Sequence, residues 1–261
     1  HHFKKDEKPF FLATGLIRPH YPNVAPRQYF DLYPFRTMKL PFVPIGDWKD
    51  MPSHAISNSN SNRFGIDKYP DNQKKMWSGY LATVTYMDEQ VGRILDALKE
   101  LNMDKETAVI FTSDHGYLLG EHNFWQKGNL REEVTRVPLI IKSPKSSPAQ
   151  NSSIVELVDI FPTACELIGL PIPKSVQGKS LVPILTKSKN KVKHSALSFV
   201  PKGISLRTER WSYMSYKDGS EELYDMRMDP KQFQNLVKKP EYLKQLTSIR
   251  QRYEKRTQFI K

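Results

Sequence analysis

The chain has 261 residues, of which 38% are apolar and 26% are charged, so it is too apolar for a disordered protein and long enough to bury a core. Its 40 Lys and Arg residues outnumber 28 Asp and Glu residues, which gives a formal net charge of +12. Because no apolar run approaches the roughly 18 residues of a membrane-spanning helix, we expect no membrane span. The sequence begins at His1 without an initiator Met or a signal-peptide pattern, and we expect a processed chain or a fragment.

The positive charge is concentrated in the C-terminal third. Residues 231–261 contain nine basic and two acidic residues, and residues 174–193 contain six Lys and no acidic residue. Such segments either attract a polyanion, such as nucleic acid or a sulfated glycan, or form a solvated helix face and loop. Since the sequence has no zinc finger and no aromatic RNA-binding signature, we expect no nucleic-acid partner.

In chain order, the first predicted elements belong to an α/β fold. Apolar runs predict buried strands at 9–15, 107–112 and 137–142, and apolar residues spaced by three and four predict a helix over 73–101. Strand, helix and strand in this order indicate a right-handed crossover and a mainly parallel sheet. Residues 17–75 have no sustained period and predict a long irregular excursion, with an exposed tip at Ser57–Asn62.

In the rest of the chain, the sequence predicts a short helix at 157–169, which ends at Gly169, and a closing helix from about 240 to 258. Cys165 is the single cysteine, which excludes an intrachain disulfide, and we expect it to be buried as a small apolar residue. Short alternating segments predict an antiparallel sheet between these helices: 196–200, 204–207, 211–216 and 222–225. We therefore predict two parts, residues 1–185 and residues 186–261.

Two residues follow the predicted strand at 107–112 and are candidate metal ligands. Asp114 and His115 offer a carboxylate oxygen and an imidazole nitrogen at the carboxyl end of that strand, where α/β proteins bind ligands. Taken alone, the pair is equally consistent with an ordinary turn after a strand.

Three further candidates lie in loops. Lys127 could meet an anionic group as a point charge, while His122 could be either a functional or a structural loop histidine. His20 follows Pro19, which stiffens the loop after the first predicted strand, and it could act as a general acid or an anion contact. On their own, these residues leave a functional and a surface role open.

Taken together, the motifs resemble the type I sulfatases of the alkaline-phosphatase-like superfamily, with most likeness to the iduronate 2-sulfatase branch. The residues that carry this resemblance are Phe10–Gly15, Arg18–Pro22, Tyr80–Leu95, Phe111–His122, Trp125–Lys127, Val137–Leu139 and, near the end, Glu222–Asp225, Asp229-Pro230 and Asn235-Leu236. They occur in the family's order over nearly the whole chain. The resemblance implies an alkaline-phosphatase-like α/β sandwich with a small antiparallel C-terminal sheet and a helix.

The resemblance also implies hydrolysis of a sulfate ester, aided by Ca²⁺ and a formylglycine nucleophile. Asp114 and His115 match the family's later metal ligands, although a histidine is an unusual ligand for Ca²⁺. His20 matches a histidine that contacts the sulfate and could protonate the leaving alcohol, and Lys127 matches a lysine that holds the sulfate. These roles suit the chemistry, since cations stabilise the charge of the transition state.

One departure from the family pattern is large. Cys165 is followed by Glu166 and not by the x-Pro-Ser-Arg of the family's nucleophile motif, and no Asp-Asp pair matches the first metal ligands. The resemblance therefore covers the C-terminal portion of a sulfatase, and we expect this chain to be inactive without the N-terminal half. We expect a sulfated sugar or glycosaminoglycan as the substrate, in a secreted, periplasmic or lysosomal setting. Two alternatives remain: a phosphate or phosphonate ester hydrolase of the same superfamily, and a non-catalytic relative that binds polyanions.

Overall fold

The computed structural model describes residues 9–56, 65–144 and 146–259, so the predicted loop tip at Ser57–Asn62 lies outside the described residues. The α-helices are α1 (Arg27–Asp31), α2 (Asn72–Glu100), α3 (Glu132–Thr135), α4 (Ile160–Leu167), α5 (Val182–Leu185) and α6 (Leu243–Thr257). The strands are β1 (Val109–Thr112), β2 (Leu118–Leu119), β3 (Trp125–Gln126), β4 (Leu139–Lys142), β5 (Ala196–Val200), β6 (Gly203–Arg207), β7 (Trp211–Tyr216) and β8 (Glu221–Asp225). No helix in the described ranges combines the length and the apolar character that crossing a bilayer requires.

Helix α2 confirms the amphipathic helix predicted over residues 73–101. The residues that it buries are small: Ser78, Gly79, Ala82 and Thr83. A Cβ atom at Gly79 would lie only 3.1 Å from Cβ of Asn23, and Asn23 Nδ2 donates a hydrogen bond to Thr83 Oγ1 at 3.2 Å. This face of small residues lets the irregular segment approach the helix backbone closely, and the contact fixes the loop that follows His20.

Strands β1 and β4 lie where the sequence predicts strands, but their pairing is antiparallel, with Val109 opposite Lys142 and Thr112 opposite Leu139. The predicted parallel pairing is not found among the described residues, where every strand pair is antiparallel. The reason is that residues 9–15 do not join β1, so the expected strand–helix–strand crossover is not formed within these ranges.

The prediction of a buried strand at residues 9–15 is wrong. These residues have no regular secondary structure, and the side chains of Phe11 and Leu12 are 82% and 65% exposed. An apolar run predicts burial, but burial also needs a facing surface, and the described part of the chain does not provide one here.

The C-terminal elements agree with the sequence. Strands β5 to β8 form an antiparallel meander in chain order, and α6 packs its Leu246 and Ile249 against it. The predicted helix at 157–169 is a 3-10 turn that continues into α4, where Cys165 is buried and Gly169 adopts a left-handed φ of 75° at the stop. The irregular excursion over 17–75 is confirmed too, since its described residues before α2 hold one short helix and three 3-10 turns.

One hydrophobic core joins the first part of the chain to the C-terminal sheet. Leu118, Phe124 and Val134 pack in the same cluster as Met214 and Tyr224. The loops beside β2 and β3 therefore pack on the sheet of β5 to β8. The division into residues 1–185 and 186–261 stays a prediction.

Candidate functional site

The centre of the candidate site is a direct contact between two residues that are 107 positions apart. Lys127 Nζ lies 2.9 Å from His20 Nε2. His20 Nδ1 lies 2.6 Å from the carbonyl oxygen of Tyr21, which can only accept a hydrogen bond, so Nδ1 carries the hydrogen. His20 Nε2 is therefore left to accept a hydrogen bond from the Lys127 ammonium group.

The loop that carries His20 is held by its neighbours. Arg18 Nε donates to the carbonyl oxygen of Val24 at 2.9 Å, and Arg18 Nη1 donates to that of His20 at 3.2 Å. Asn23 Nδ2 adds a hydrogen bond to the carbonyl oxygen of Pro19. The sequence pattern indicated His20 as a site residue but gave Arg18 no role. The position of Arg18 two residues before His20 was the one feature of the sequence that could have indicated its role in this loop.

Asp114 and His115 lie in a turn after β1, as predicted. The backbone N–H of His115 donates to Asp114 Oδ1 at 3.0 Å, and Ser113 Oγ donates to the carbonyl oxygen of His115 at 2.9 Å. His115 Nδ1 is 2.8 Å from the carbonyl oxygen of Gly116, so Nδ1 carries the hydrogen and Nε2 is the potential ligand atom. A Cβ atom at Gly116 would lie 2.0 Å from the carbonyl oxygen of Glu133, so only glycine lets this turn pack against the segment of α3.

A single cavity connects these loops. It is lined by Leu16, Ile17, Arg18, Pro19, His20, Tyr80, Ser113, Asp114, His115, Gly116 and Tyr117. The structure therefore brings His20, Asp114 and His115 to one cavity, and Lys127 reaches its rim through His20. All four predicted site residues thus lie in or beside this cavity.

Two tyrosines that the sequence analysis did not assign to the site line this cavity. The rings of Tyr80 and Tyr117 stack with centroids 5.3 Å apart. Burial raises the pKa of Tyr117 to about 12, and burial also raises the pKa of Tyr80. Both phenols are consequently neutral near pH 7, and they contribute an apolar wall with polar edges beside the charged residues.

The described residues around Asp114 supply few ligands for the Ca²⁺ that the family resemblance implies. The Asp114 side chain is 84% exposed, and its Oδ2 atom lies 3.6 Å from His115 Nε2. The described residues contain no group of three or more metal-ligating side chains, whereas Ca²⁺ takes six to eight oxygen ligands. Asp114 and His115 therefore do not form a complete calcium site by themselves.

Comparison with known protein families identifies the chain. The family described as "Sulfatase" matches residues 2–170, and the family described as "N-sulphoglucosamine sulphohydrolase, C-terminal" matches residues 120–258. The chain belongs to the sulfatase family. Its relatives include a sulfatase of Formosa agariphila, 33% identical over 237 residues, which cover 89% of this chain and 47% of the relative. Human iduronate 2-sulfatase is 33% identical over 229 residues, or 73% of this chain and 42% of that protein. This sulfatase chain thus spans about half the length of the relatives it matches.

Solved structures confirm the predicted alkaline-phosphatase-like fold class. A protein in complex with its substrate D-glucosamine-2-N,6-O-disulfate is 29% identical, with a TM-score of 0.68 over 81% of this sulfatase chain and 48% of that chain. A phosphonate monoester hydrolase of Silicibacter pomeroyi is 25% identical, with a TM-score of 0.77 over 92% of this chain and 54% of that one. The fold is therefore shared by a protein whose substrate is a sulfated sugar and by a phosphonate monoester hydrolase.

Proposed function

We propose that this chain forms half of the active site of a sulfatase that removes sulfate from a sulfated sugar or glycosaminoglycan. The observation that carries the proposal is the contact between Lys127 and His20 at the rim of the cavity that also contains Asp114 and His115. Cationic and hydrogen-bonding groups from three separate loops meet there, as an anionic ester requires.

Lys127 and His20 have different tasks in this proposal. The Lys127 ammonium group binds an oxygen of the sulfate and stabilises the charge that develops as the ester bond breaks. When Lys127 binds the sulfate instead, His20 Nε2 loses its hydrogen-bond donor and can take up a proton from solvent. Because Nδ1 already donates to Tyr21, the proton that His20 gives to the leaving alkoxide oxygen must come from Nε2.

The rest of the chemistry needs groups from outside this chain. We propose that Asp114 and His115 contribute to a Ca²⁺ site whose other ligands, together with the formylglycine nucleophile, belong to an N-terminal half of the same protein. The length of the relatives supports this, since this chain matches 47% of the Formosa agariphila sulfatase. When bound, the cation would neutralise negative charge on the sulfate.

Two relatives support a class of substrate. Iduronate 2-sulfatase and the protein solved with its disulfated glucosamine substrate both act on sulfated sugars, and both align with this chain. We propose the same class of substrate here, and a secreted, periplasmic or lysosomal location in which such glycans are found.

A panel of substrates tests the proposal on the full-length protein. We expect hydrolysis of nitrophenyl sulfate and release of sulfate from glucosamine sulfates, and lower kcat/KM on a phenylphosphonate monoester. Preference for the phosphonate would favour the second candidate function, which the likeness to the Silicibacter pomeroyi enzyme supports. Binding of heparin without any hydrolysis would indicate the non-catalytic relative.

A further inference from the structure

Lys127 follows a hairpin whose backbone is unusual. The connection between β2 and β3 and the last residue of β3 hold three non-glycine residues with a left-handed backbone: His122 (φ 57°), Asn123 (φ 56°) and Gln126 (φ 69°). Side chains with a Cβ atom disfavour this conformation, so it persists only where neighbouring groups hold it. The position of Lys127 therefore depends on whatever fixes this hairpin.

Two consecutive residues of the irregular excursion hold the hairpin. His122 Nδ1 donates to Asp47 Oδ2 at 2.7 Å, and the two side chains are only 1% and 2% exposed. Trp48 Nε1 donates to the carbonyl oxygen of His122 at 2.6 Å, and the Trp48 ring stacks on Phe124 with centroids 5.3 Å apart. Asp47 and Trp48 thus contact the ring, the backbone and the following aromatic residue of the same turn.

We propose that Asp47 and Trp48 are positioning residues that fix Lys127 against His20 by acting through His122. The path is short, and Phe124 and Trp125, which lie between the turn and Lys127, are fully buried. The catalytic consequence rests on the proposed function, whereas the effect on the position of Lys127 does not. A functional and a structural role for His122 were both consistent with the sequence, and the structure gives this histidine a buried carboxylate partner.

The chain contains a matched control for this proposal. Trp77 Nε1 also donates to a backbone carbonyl oxygen at 2.6 Å, but its partner is Leu119 on β2, before the turn. Trp48→Phe and Trp77→Phe each remove one hydrogen bond of the same type and length from the same hairpin. A general loss of stability affects both variants, and a loss of position at Lys127 affects only the first.

The first measurement is the rate at which acetic anhydride modifies Lys127 in the full-length protein, followed by peptide mass spectrometry. We expect Trp48→Phe to raise that rate about fivefold, the factor by which losing one ordinary hydrogen bond shifts an equilibrium. Asp47→Ala should act in the same direction, Asp47→Asn should act less because it keeps an acceptor oxygen, and Trp77→Phe should leave the rate unchanged. Equal rates in Trp48→Phe and wild type, with thermal unfolding showing an intact fold, would overturn the proposal.

The second measurement is a double-mutant cycle on nitrophenyl sulfate hydrolysis. Trp48→Phe should lower kcat/KM about tenfold in the wild-type protein, as expected for a displaced catalytic group, and should cost nothing further in a Lys127→Ala background. Equal losses in both backgrounds would show that Trp48 does not act through Lys127. If wild type has no sulfatase activity but the modification rate of Lys127 still changes, the proposed function fails and the positioning role stands.

Discussion

The buried ion pair between Arg131 and Glu222 predicts a large and specific loss of stability. Arg131 Nη2 donates to Glu222 Oε1 at 2.7 Å, and the two side chains are 1% and 0% exposed. The hydroxyl groups of Tyr216 and Tyr224 also donate to the Glu222 carboxylate. Burial alone would lower the pKa of Arg131, but the Glu222 charge outweighs burial and holds that pKa above its usual value. Arg131 is therefore a buried cation.

The variant Glu222→Gln keeps the shape of the side chain and removes its charge. The Arg131 guanidinium group then stays buried with no counter-charge, and breaking such a pair costs about 3–5 kcal/mol. The exposed pair Lys191–Glu209 is a matched control, with an N···O distance of 3.3 Å and side chains that are 45% and 52% exposed. Glu209→Gln should cost about 0–1 kcal/mol, because water and salt screen that pair.

Urea unfolding of the full-length protein, followed by tryptophan fluorescence, gives the free energy of unfolding for each variant. The double variant Arg131→Met/Glu222→Leu should recover only part of the loss. It removes both buried charges, but the hydroxyl groups of Tyr216 and Tyr224 then lose their acceptor. A loss below about 1 kcal/mol for Glu222→Gln would refute this reasoning, since it would equal the cost at a surface pair.

Four further predictions concern the site and its support. His20→Ala should reduce kcat about 10²–10⁴-fold on a sugar sulfate and far less on nitrophenyl sulfate, which has a good leaving group, whereas Lys127→Ala should impair both; equal losses for His20→Ala would leave that residue as an anion contact. Asp114→Ala should abolish Ca²⁺ binding and activity together, and unchanged metal content by elemental analysis would exclude its role as a ligand. This chain alone should not hydrolyse nitrophenyl sulfate, and turnover above that of Lys127→Ala would contradict this. Burial alone would raise the pKa of Glu156, but its hydrogen bonds and ion pairs with Lys193 and Arg256 hold that pKa below its usual value. Its stabilising contribution is therefore present above the usual pKa and is lost as pH falls through the lowered pKa, and Glu156→Gln should flatten the acid limb of a plot of melting temperature against pH.

The sequence predicted the elements with strong periodicity and the residues with a distinctive family spacing. Helix α2 and the meander of β5 to β8 follow from local patterns. The four candidate site residues come from motifs that the chain shares with the sulfatases, and the structure brings them close together. The pairing of β1 with β4 and the exposure of residues 9–15 were missed, because both depend on which surfaces meet in space.

Contacts between distant, unpatterned residues could not be predicted in the same way. Asp47 lies 75 positions from His122 in a segment without periodicity, so no local pattern linked the two. Similarly, Arg18 and Tyr117 acquire their roles only when the loops meet at the cavity.

The core shared by the two parts of the chain determines how the protein can be divided experimentally. A polypeptide truncated at residue 185 would lose Met214 and Tyr224 from the cluster around Leu118 and Phe124, and Arg131 would lose its counter-charge. The sequence predicts a division after residue 185, yet neither part could keep these side chains buried in the absence of the other. Limited proteolysis in that region should therefore leave two fragments that remain associated until they are denatured.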